Sequence, residues 1–112
     1  MVDFRLMTHS QVLILNPKLS KQLCASLGAR ASIMAYINYV DSQEVRLWLA
    51  HGANVVALSA GSEIELREIH NRATLHSMFV SEIYLDDRLM AVAIGPHVNE
   101  SIKPLIKHLK ML

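Results

Sequence analysis

Residues 89–112, LMAVAIGPHVNESIKPLIKHLKML, decide the fold of this 112-residue chain. Residues 89–94 are all apolar, which predicts a buried β-strand. The Gly95-Pro96 dipeptide is expected to break that strand. Asn99 is expected to cap a last helix, which is predicted by apolar residues at helical spacing: Ile102, Leu105, Ile106 and Leu109. Pro104 lies inside this helix and predicts a kink or a later start.

Upstream, short apolar runs alternate with capped amphipathic segments. The runs predict strands at residues 11–15, 55–58 and 78–85. Between them we predict a long helix over residues 21–39, a short helix that ends at Gly52 and a third helix after Ser62. Ser20 is expected to cap the first of these helices. Ser62 and Glu65 form a Ser-x-x-Glu capping box, which is the clearest helix start in the chain.

The order of these elements predicts the architecture. Alternating strands and helices indicate an α/β protein with a largely parallel sheet, right-handed crossovers and helices on both faces. The last two strands are separated only by the polar turn Asp86-Asp87-Arg88, which is too short for a crossover, so they are expected to form an antiparallel hairpin. We predict a single domain over residues 1–112. It would be a three-layer α/β/α sandwich with a mixed sheet of about four strands and a C-terminal β-hairpin and helix.

The composition limits the class of protein. Hydrophobic residues make up 52% of the chain and charged residues 19%, which is typical of a globular domain with its own core. Cys24 is the only cysteine, so no intramolecular disulfide is expected. Residues 1–10 lack the apolar core of a signal peptide, and no apolar run is long enough to span a bilayer. A soluble, cytoplasmic protein is therefore predicted, and the net charge of +1 gives no argument for a nucleic-acid partner.

Residue spacing alone offers few functional sites. The six histidines show no metal-ligand spacing, so we expect no metal and no cofactor. Cys24 is predicted to be a packing residue rather than a nucleophile. Lys103, Lys107 and Lys110 recur at i, i+4 and i+7, which predicts one positive face on the last helix. That face either contacts RNA phosphates or is an ordinary solvated surface.

The end of the chain resembles a known family. Ala93-Ile94-Gly95-Pro96 and residues 105–112 look like the closing strand, Gly-Pro turn and His-Leu-Lys-Leu-Leu ending of the type 2 peptidyl-tRNA hydrolases. Trp48, Gly52, Ala73 and the Ser62 helix start fall in the family's order and spacing. The resemblance covers most of the chain from Val12 onward. It implies the same α/β fold, tRNA as a partner and, commonly, a homodimer.

The chain departs from the family where the chemistry would be. The family opens its first helix with a Gly-Lys-Gly-Lys segment and an Ala-Ala-Gln-x-x-His pattern. Lys21 falls on one family lysine, but Leu23 stands at the other, Leu27 at the glutamine and Arg30 at the histidine. The family also carries a catalytic aspartate and an Asp-x-Gly-Arg-Thr-like segment in a long loop between its last two strands. In this chain that loop is reduced to residues 85–88.

Two functional hypotheses remain. In the first, the chain is a relative of the type 2 peptidyl-tRNA hydrolases that lacks their standard catalysis and acts as a binding or interaction protein. In the alternative, it is a divergent hydrolase of peptidyl-tRNA or a related acyl ester. Lys18 or Lys21 would then stabilise the developing negative charge, and Asp86 or Asp87 would orient the attacking water.

Overall fold

The structure is a computed structural model that describes residues 8–112. The prediction that no signal peptide is present falls largely on residues 1–7, which are outside the described residues. The elements follow in the order β1 (His9–Leu15), α1 (Lys21–Asn38), α2 (Gln43–Ala50), β2 (Val55–Ser59), α3 (Glu63–Leu75), β3 (Val80–Leu85), β4 (Arg88–Val98), α4 (Asn99–Ile106) and β5 (Lys110–Met111).

The five strands form one mixed sheet in the order β3-β4-β1-β2-β5. β1 and β2 are parallel, with Leu13 opposite Ala57, whereas β4 is antiparallel to both β1 and β3, and β5 is antiparallel to β2. The predicted α/β class and mixed sheet are confirmed. The expectation of a largely parallel sheet is wrong, because three of the four strand pairs are antiparallel. β4 returns between β1 and β3 and so separates strands that run in the same direction.

Strand β4 is longer than predicted. It does not stop at Gly95-Pro96 but continues to Val98. Gly95 adopts a positive φ of 95°, and its N–H still donates to the Phe79 carbonyl at 2.9 Å. Backbone pairing therefore passes through the dipeptide that was expected to end the strand.

The end of the chain also differs from the predicted helix. Helix α4 ends at Ile106, and residues 110–111 pair with β2 as strand β5. Val98 rather than Asn99 is the N-cap of α4, and no side chain caps this helix. Pro104 lies within α4 without delaying its start. The helical spacing of apolar residues was correct as far as Ile106, and the pairing with β2 overrides it beyond that point.

Helices cover both faces of the sheet. On one face α1 packs against β1, β3 and β4 through Leu13, Leu15, Leu27, Ala31, Ala35, Ile83, Ala91 and Ala93. On the other face α3 and α4 pack through a larger set that includes Val12, Ile14, Leu66, Ile69, Leu89, Val92, Ile94, Ile102 and Leu105. None of the helices within residues 8–112 combines the length and the apolar character needed to cross a bilayer.

The predicted helix caps at Ser20 and Ser62 are confirmed. The Ser20 hydroxyl accepts the Leu23 N–H at 3.2 Å at the start of α1. At the start of α3 the Ser62 hydroxyl accepts the Glu65 N–H at 3.0 Å, and the Glu65 carboxylate accepts the Gly61 N–H at 2.6 Å. These bonds satisfy backbone donors that a helix cannot satisfy internally.

A cluster of three rings joins the end of α1 to the amino end of β3. The Tyr39 and Phe79 rings lie 4.0 Å apart at an angle of 2°, and the His97 ring lies 4.7 Å from Phe79. The Phe79 N–H donates to His97 Nε2 at 2.7 Å. Because a protonated imidazole has no acceptor nitrogen, this bond requires neutral His97.

We expect the protein to lose stability as His97 becomes protonated. Burial lowers the pKa of His97 from its ordinary value of 6.5, and the Glu44 carboxylate opposes this effect. A histidine whose pKa is lower in the folded state than in the unfolded state stabilises the folded state at pH values above the unfolded-state pKa. This contribution is lost as the pH falls through the folded-state pKa. The contribution of His97 to the free energy of unfolding is measured by denaturant unfolding of wild type and His97→Gln over a pH series. The stability advantage of wild type should shrink as the pH falls below 6.5; a pH-independent difference would contradict the prediction.

Candidate functional site

A groove opens at the carboxyl ends of the parallel strands β1 and β2, where α1 begins. Ligands of α/β sheets commonly bind at this edge. The groove has a volume of about 420 Å³, and its walls come from the β1–α1 turn, α1, the end of β2 and the residue after β5: Asn16, Pro17, Leu19, Lys21, Cys24, Ala25, Ser59 and Leu112. This lining suits a ligand that has both charged and apolar parts.

Asn16 fixes the turn between β1 and α1. Its side chain is 1% exposed. Nδ2 donates to the Leu89 carbonyl at 3.2 Å, and Oδ1 accepts the Lys18 N–H at 3.0 Å. The Asn16 carbonyl accepts the Leu19 N–H at 3.2 Å. The bonds position Lys18 and the start of α1. The Asn16-Pro17 pair directly follows a buried strand, which is a recognised sequence signal for a turn.

The start of α1 carries positive charge where the helix dipole is also positive. Lys21 is the first residue of α1, Lys18 lies three residues earlier, and both are exposed. The first turn of α1, all of which the structure describes, contains no acidic residue. A cation at a helix N-terminus lacks the roughly 0.3–1 kcal/mol of stabilisation that an acidic residue gains there. Phosphate or carboxylate would be favoured at this wall of the groove.

Asp86 and Asp87 form the two-residue turn of the β3/β4 hairpin. Leu85 pairs with Arg88, and the two aspartates have φ angles of 49° and 64°. These values are typical of a type I′ turn, the tightest common hairpin connection. Both side chains are exposed. The short polar turn predicted from the sequence is therefore confirmed.

An ion pair fastens this hairpin to α3. Arg88 Nη2 and Nε donate to Glu63 Oε1 at 2.7 and 3.1 Å. The hydrogen bond from Arg88 lowers the pKa of the Glu63 carboxyl, which favours the ionised form. Because α3 covers the face of the sheet opposite α1, the turn is anchored away from the helix that carries Lys21.

The four residues predicted as a catalytic set lie in two places. Lys18 and Lys21 follow β1, whereas Asp86 and Asp87 join β3 to β4. The middle of the β3/β4 pair is two strand spacings, about 10 Å, from the middle of the β1/β2 pair. Within residues 8–112, neither lysine forms an ion pair or a hydrogen bond with either aspartate.

The three C-terminal lysines do not share one helical face. Lys103 lies in α4 and Lys107 is its C-cap, but Lys110 lies in β5 opposite Ser59. The prediction of a single basic helix face is wrong for Lys110, because α4 ends at Ile106. Lys110 instead lies at the same end of the sheet as Lys21.

Nearly the whole described chain matches one family. A family model described as peptidyl-tRNA hydrolase PTH2 matches residues 9–112. The chain belongs to the PTH2 family. Proteins named peptidyl-tRNA hydrolase from Methanococcus maripaludis strain C7 and Methanocaldococcus jannaschii are each 33% identical to it. The first match covers 85% of this chain and 90% of the relative, and the second covers 76% and 82%. The resemblance drawn from the C-terminal stretch is confirmed.

A solved structure from Agrobacterium tumefaciens strain C58, described as a protein of unknown function, has a similar fold. It superposes with a TM-score of 0.67 at 10% sequence identity and covers 95% of this chain and 98% of that chain. At this identity the likeness concerns the fold alone.

The residues of α1 that depart from the PTH2 pattern bring no polar group into the groove. Leu27, expected from the resemblance at the position of the glutamine, is 3% exposed and packs in the core. Arg30, expected at the position of the histidine, lies with Ile33 and Met34 beside β3. Of the PTH2 positions considered in α1, Lys21 alone lines the groove.

A carboxylate–imidazole pair lies next to the groove and was missed from the sequence. His108 Nε2 is 3.3 Å from Glu65 Oε2, so the carboxylate that caps α3 also holds this imidazole. Both residues line a groove of about 230 Å³ together with Lys110, and this groove shares Ser59 with the larger one. The sequence pattern placed His108 in the predicted last helix. Glu65 is far from it along the chain, so the sequence did not indicate that the two side chains are in contact. Within residues 8–112, no three His, Cys, Asp or Glu side chains are grouped to hold a metal ion.

Proposed function

We propose that this PTH2 protein binds the acceptor end of peptidyl-tRNA, or of a related acylated RNA, in the groove at the carboxyl ends of β1 and β2. We further propose that it acts in the cytoplasm and lacks the hydrolysis typical of the family. The separation of Lys18 and Lys21 from Asp86 and Asp87 carries this proposal. Lys21 lines the groove and Lys18 lies in the turn that leads to it, whereas Asp86 and Asp87, which could activate a water, lie in the β3/β4 turn.

RNA binding is supported by the chemistry around the groove. Lys18 and Lys21 flank the start of α1, and Lys110 in β5 lines the adjoining groove that shares Ser59. Lysines bind phosphates without reading the base sequence, which suits the acceptor end shared by different tRNAs. Apolar wall residues such as Leu19 and Leu112 could contact the acyl group.

The proposed loss of hydrolysis follows from the position of the turn. Ester cleavage needs a group that takes a proton from water and donors aimed at the developing oxyanion. Asp86 and Asp87 are exposed, and the Arg88–Glu63 ion pair holds their turn on the α3 side of the sheet. The absence of a positioned base costs a factor of about 10²–10⁴ in rate.

The alternative function, hydrolysis of peptidyl-tRNA, is favoured by a different observation. His108 is held by Glu65 beside Ser59 and Lys110. A neutral imidazole oriented by a carboxylate is a common general base. It would replace the family's aspartate from the other side of the groove.

One assay separates the two functions. We expect no hydrolysis of peptidyl-tRNA above the background rate, because Asp86 and Asp87 lie in a different turn from Lys18 and Lys21. Release of free tRNA is followed with wild type, Lys21→Ala and His108→Gln. Turnover by wild type that either substitution reduces would overturn the proposal and support the hydrolase.

We also propose that the chain forms the homodimer implied by the resemblance, through the outer side of α1. Leu23, Ile33, Met34 and Ile37 are each between 43% and 58% exposed, and they lie on one side of this helix. Contiguous apolar surface of this kind is uncommon on monomers.

The double substitution Ile33→Asp/Ile37→Asp is expected to convert the dimer to a monomer, because it places charges in the apolar contact. Light scattering at micromolar concentration measures the mass. Ile64→Asp is the matched control, because Ile64 is 72% exposed on α3 and lies outside the α1 surface. A monomeric mass for wild type would refute the dimer.

A further inference from the structure

A second groove lies between α4 and the outer edge of β2. Its volume is about 520 Å³, which is within the usual range of ligand sites. Its walls are mostly apolar with two lysines: Val56, Leu58, Lys103, Pro104, Ile106, Lys107 and Met111. It belongs to the face of the sheet covered by α3 and α4, whereas the proposed RNA groove opens at the carboxyl end of the strands.

The edge of β2 along this groove is only partly paired. The Asn54 carbonyl accepts the Gln11 N–H of β1 at 3.0 Å, so the backbone of residues 55, 57 and 59 points the opposite way. β5 pairs with Leu58 and Ser59, and the Leu112 N–H donates to the Ala57 carbonyl at 3.2 Å. Val55 lies beyond the last of these contacts and is 39% exposed.

We propose that this groove binds an extended apolar peptide, which adds to the edge of β2 at Val55 and directs an acidic side chain toward Lys107. An exposed strand edge presents backbone donors and acceptors that another extended backbone satisfies. Alternate side chains of such a strand would enter the apolar walls at Pro104 and Met111. The lysine at the rim favours an acidic ligand over a basic one.

The chemistry of the groove favours a peptide over other ligands. A nucleic acid would leave the apolar walls without contacts. A lipid chain would fill those walls but leave the backbone groups of Val55 without a partner. This proposal goes beyond RNA binding and does not depend on it, because the two grooves share no lining residue.

The test uses an acetylated, fluorescein-labelled pentapeptide of sequence Val-Thr-Val-Thr-Asp, in which both valines and the aspartate share one face, and the full chain. Fluorescence anisotropy of wild type is expected to show saturable binding. Val55→Pro is expected to weaken it at least about 10-fold, because proline removes the edge donor while the bonds from β2 to β1 remain. Circular dichroism checks that this variant folds. Ile64→Asp, outside the groove, should leave peptide binding unchanged.

Lys107→Glu gives a second, independent readout. It should weaken binding of the Asp peptide by about 2–5-fold, typical of an exposed ion pair, and should strengthen binding of a peptide with lysine in place of aspartate. Unchanged affinity in both Val55→Pro and Lys107→Glu would overturn the proposal. A second pair of results would also overturn it: a synthetic peptide of residues 1–7 competes tightly with the labelled peptide, and deletion of these residues raises the affinity for the labelled peptide tenfold. The chain itself would then be the ligand of the groove. Failure of RNA binding leaves this test unaffected.

Discussion

Replacement of Gly95 by alanine is expected to destabilise the protein by about 3 kcal/mol or more. Gly95 has a φ of 95°, in a region that favours glycine. An added Cβ would lie 2.8 Å from both the His97 nitrogen and the Ser10 carbonyl oxygen. Both are backbone atoms where β4 pairs with β1, so relief of the clash would require β1 to move away from β4 and the β4 backbone itself to change.

Two other glycines are matched controls for this prediction. Gly52→Ala has a similar φ of 103° but no atom within 4 Å of the added Cβ, so only backbone strain of roughly 1–2 kcal/mol is expected. Gly28→Ala lies inside α1 with Leu13 Cδ1 at 3.6 Å, an ordinary contact, so a gain of about 0.5–1 kcal/mol is expected. Equilibrium unfolding in urea measures all three. Equal losses at Gly95 and Gly52 would show that the clash does not contribute.

The parts of the fold predicted from the sequence are those set by neighbouring residues. The caps at Ser20 and Ser62 need only a hydroxyl and a nearby N–H, so their prediction succeeded. The tight turn at Asp86-Asp87 is equally local. Strand β5 depends on the pairing of Lys110 with Ser59 of β2, which is far from it along the chain. The helical spacing of the apolar residues before β5 predicted instead that the last helix continues.

The candidate site was less predictable, for the same reason. Lys21 was found through its match to a family position. Asn16 organises the turn by bonding to Leu89, and Glu65 is the partner of His108. Both contacts join residues that are far apart along the chain. A Ser-x-x-Glu pattern reveals the cap but not that the same carboxylate also binds an imidazole. Contacts between distant segments, which the sequence does not display, define both features.

The double substitution Lys18→Glu/Lys21→Glu is expected to weaken tRNA binding about 10–100-fold at low salt, because both phosphate contacts become repulsive. Loss of two contacts to a single-stranded acceptor end should also reduce the slope of log affinity against log salt by roughly 1.4. Anisotropy of a labelled tRNA over a salt series measures both quantities.

Arg46→Glu/Arg72→Glu is the matched control for this charge reversal. It changes the net charge equally but lies on α2 and in the last turn of α3, away from the groove. The control should keep most of the affinity and the wild-type salt slope. If both double variants lose affinity equally, binding follows net charge and the groove has no specific part in it. A selective loss in the lysine variant, together with absent hydrolysis by wild type, would mean that this PTH2 domain retains RNA binding without the family's reaction.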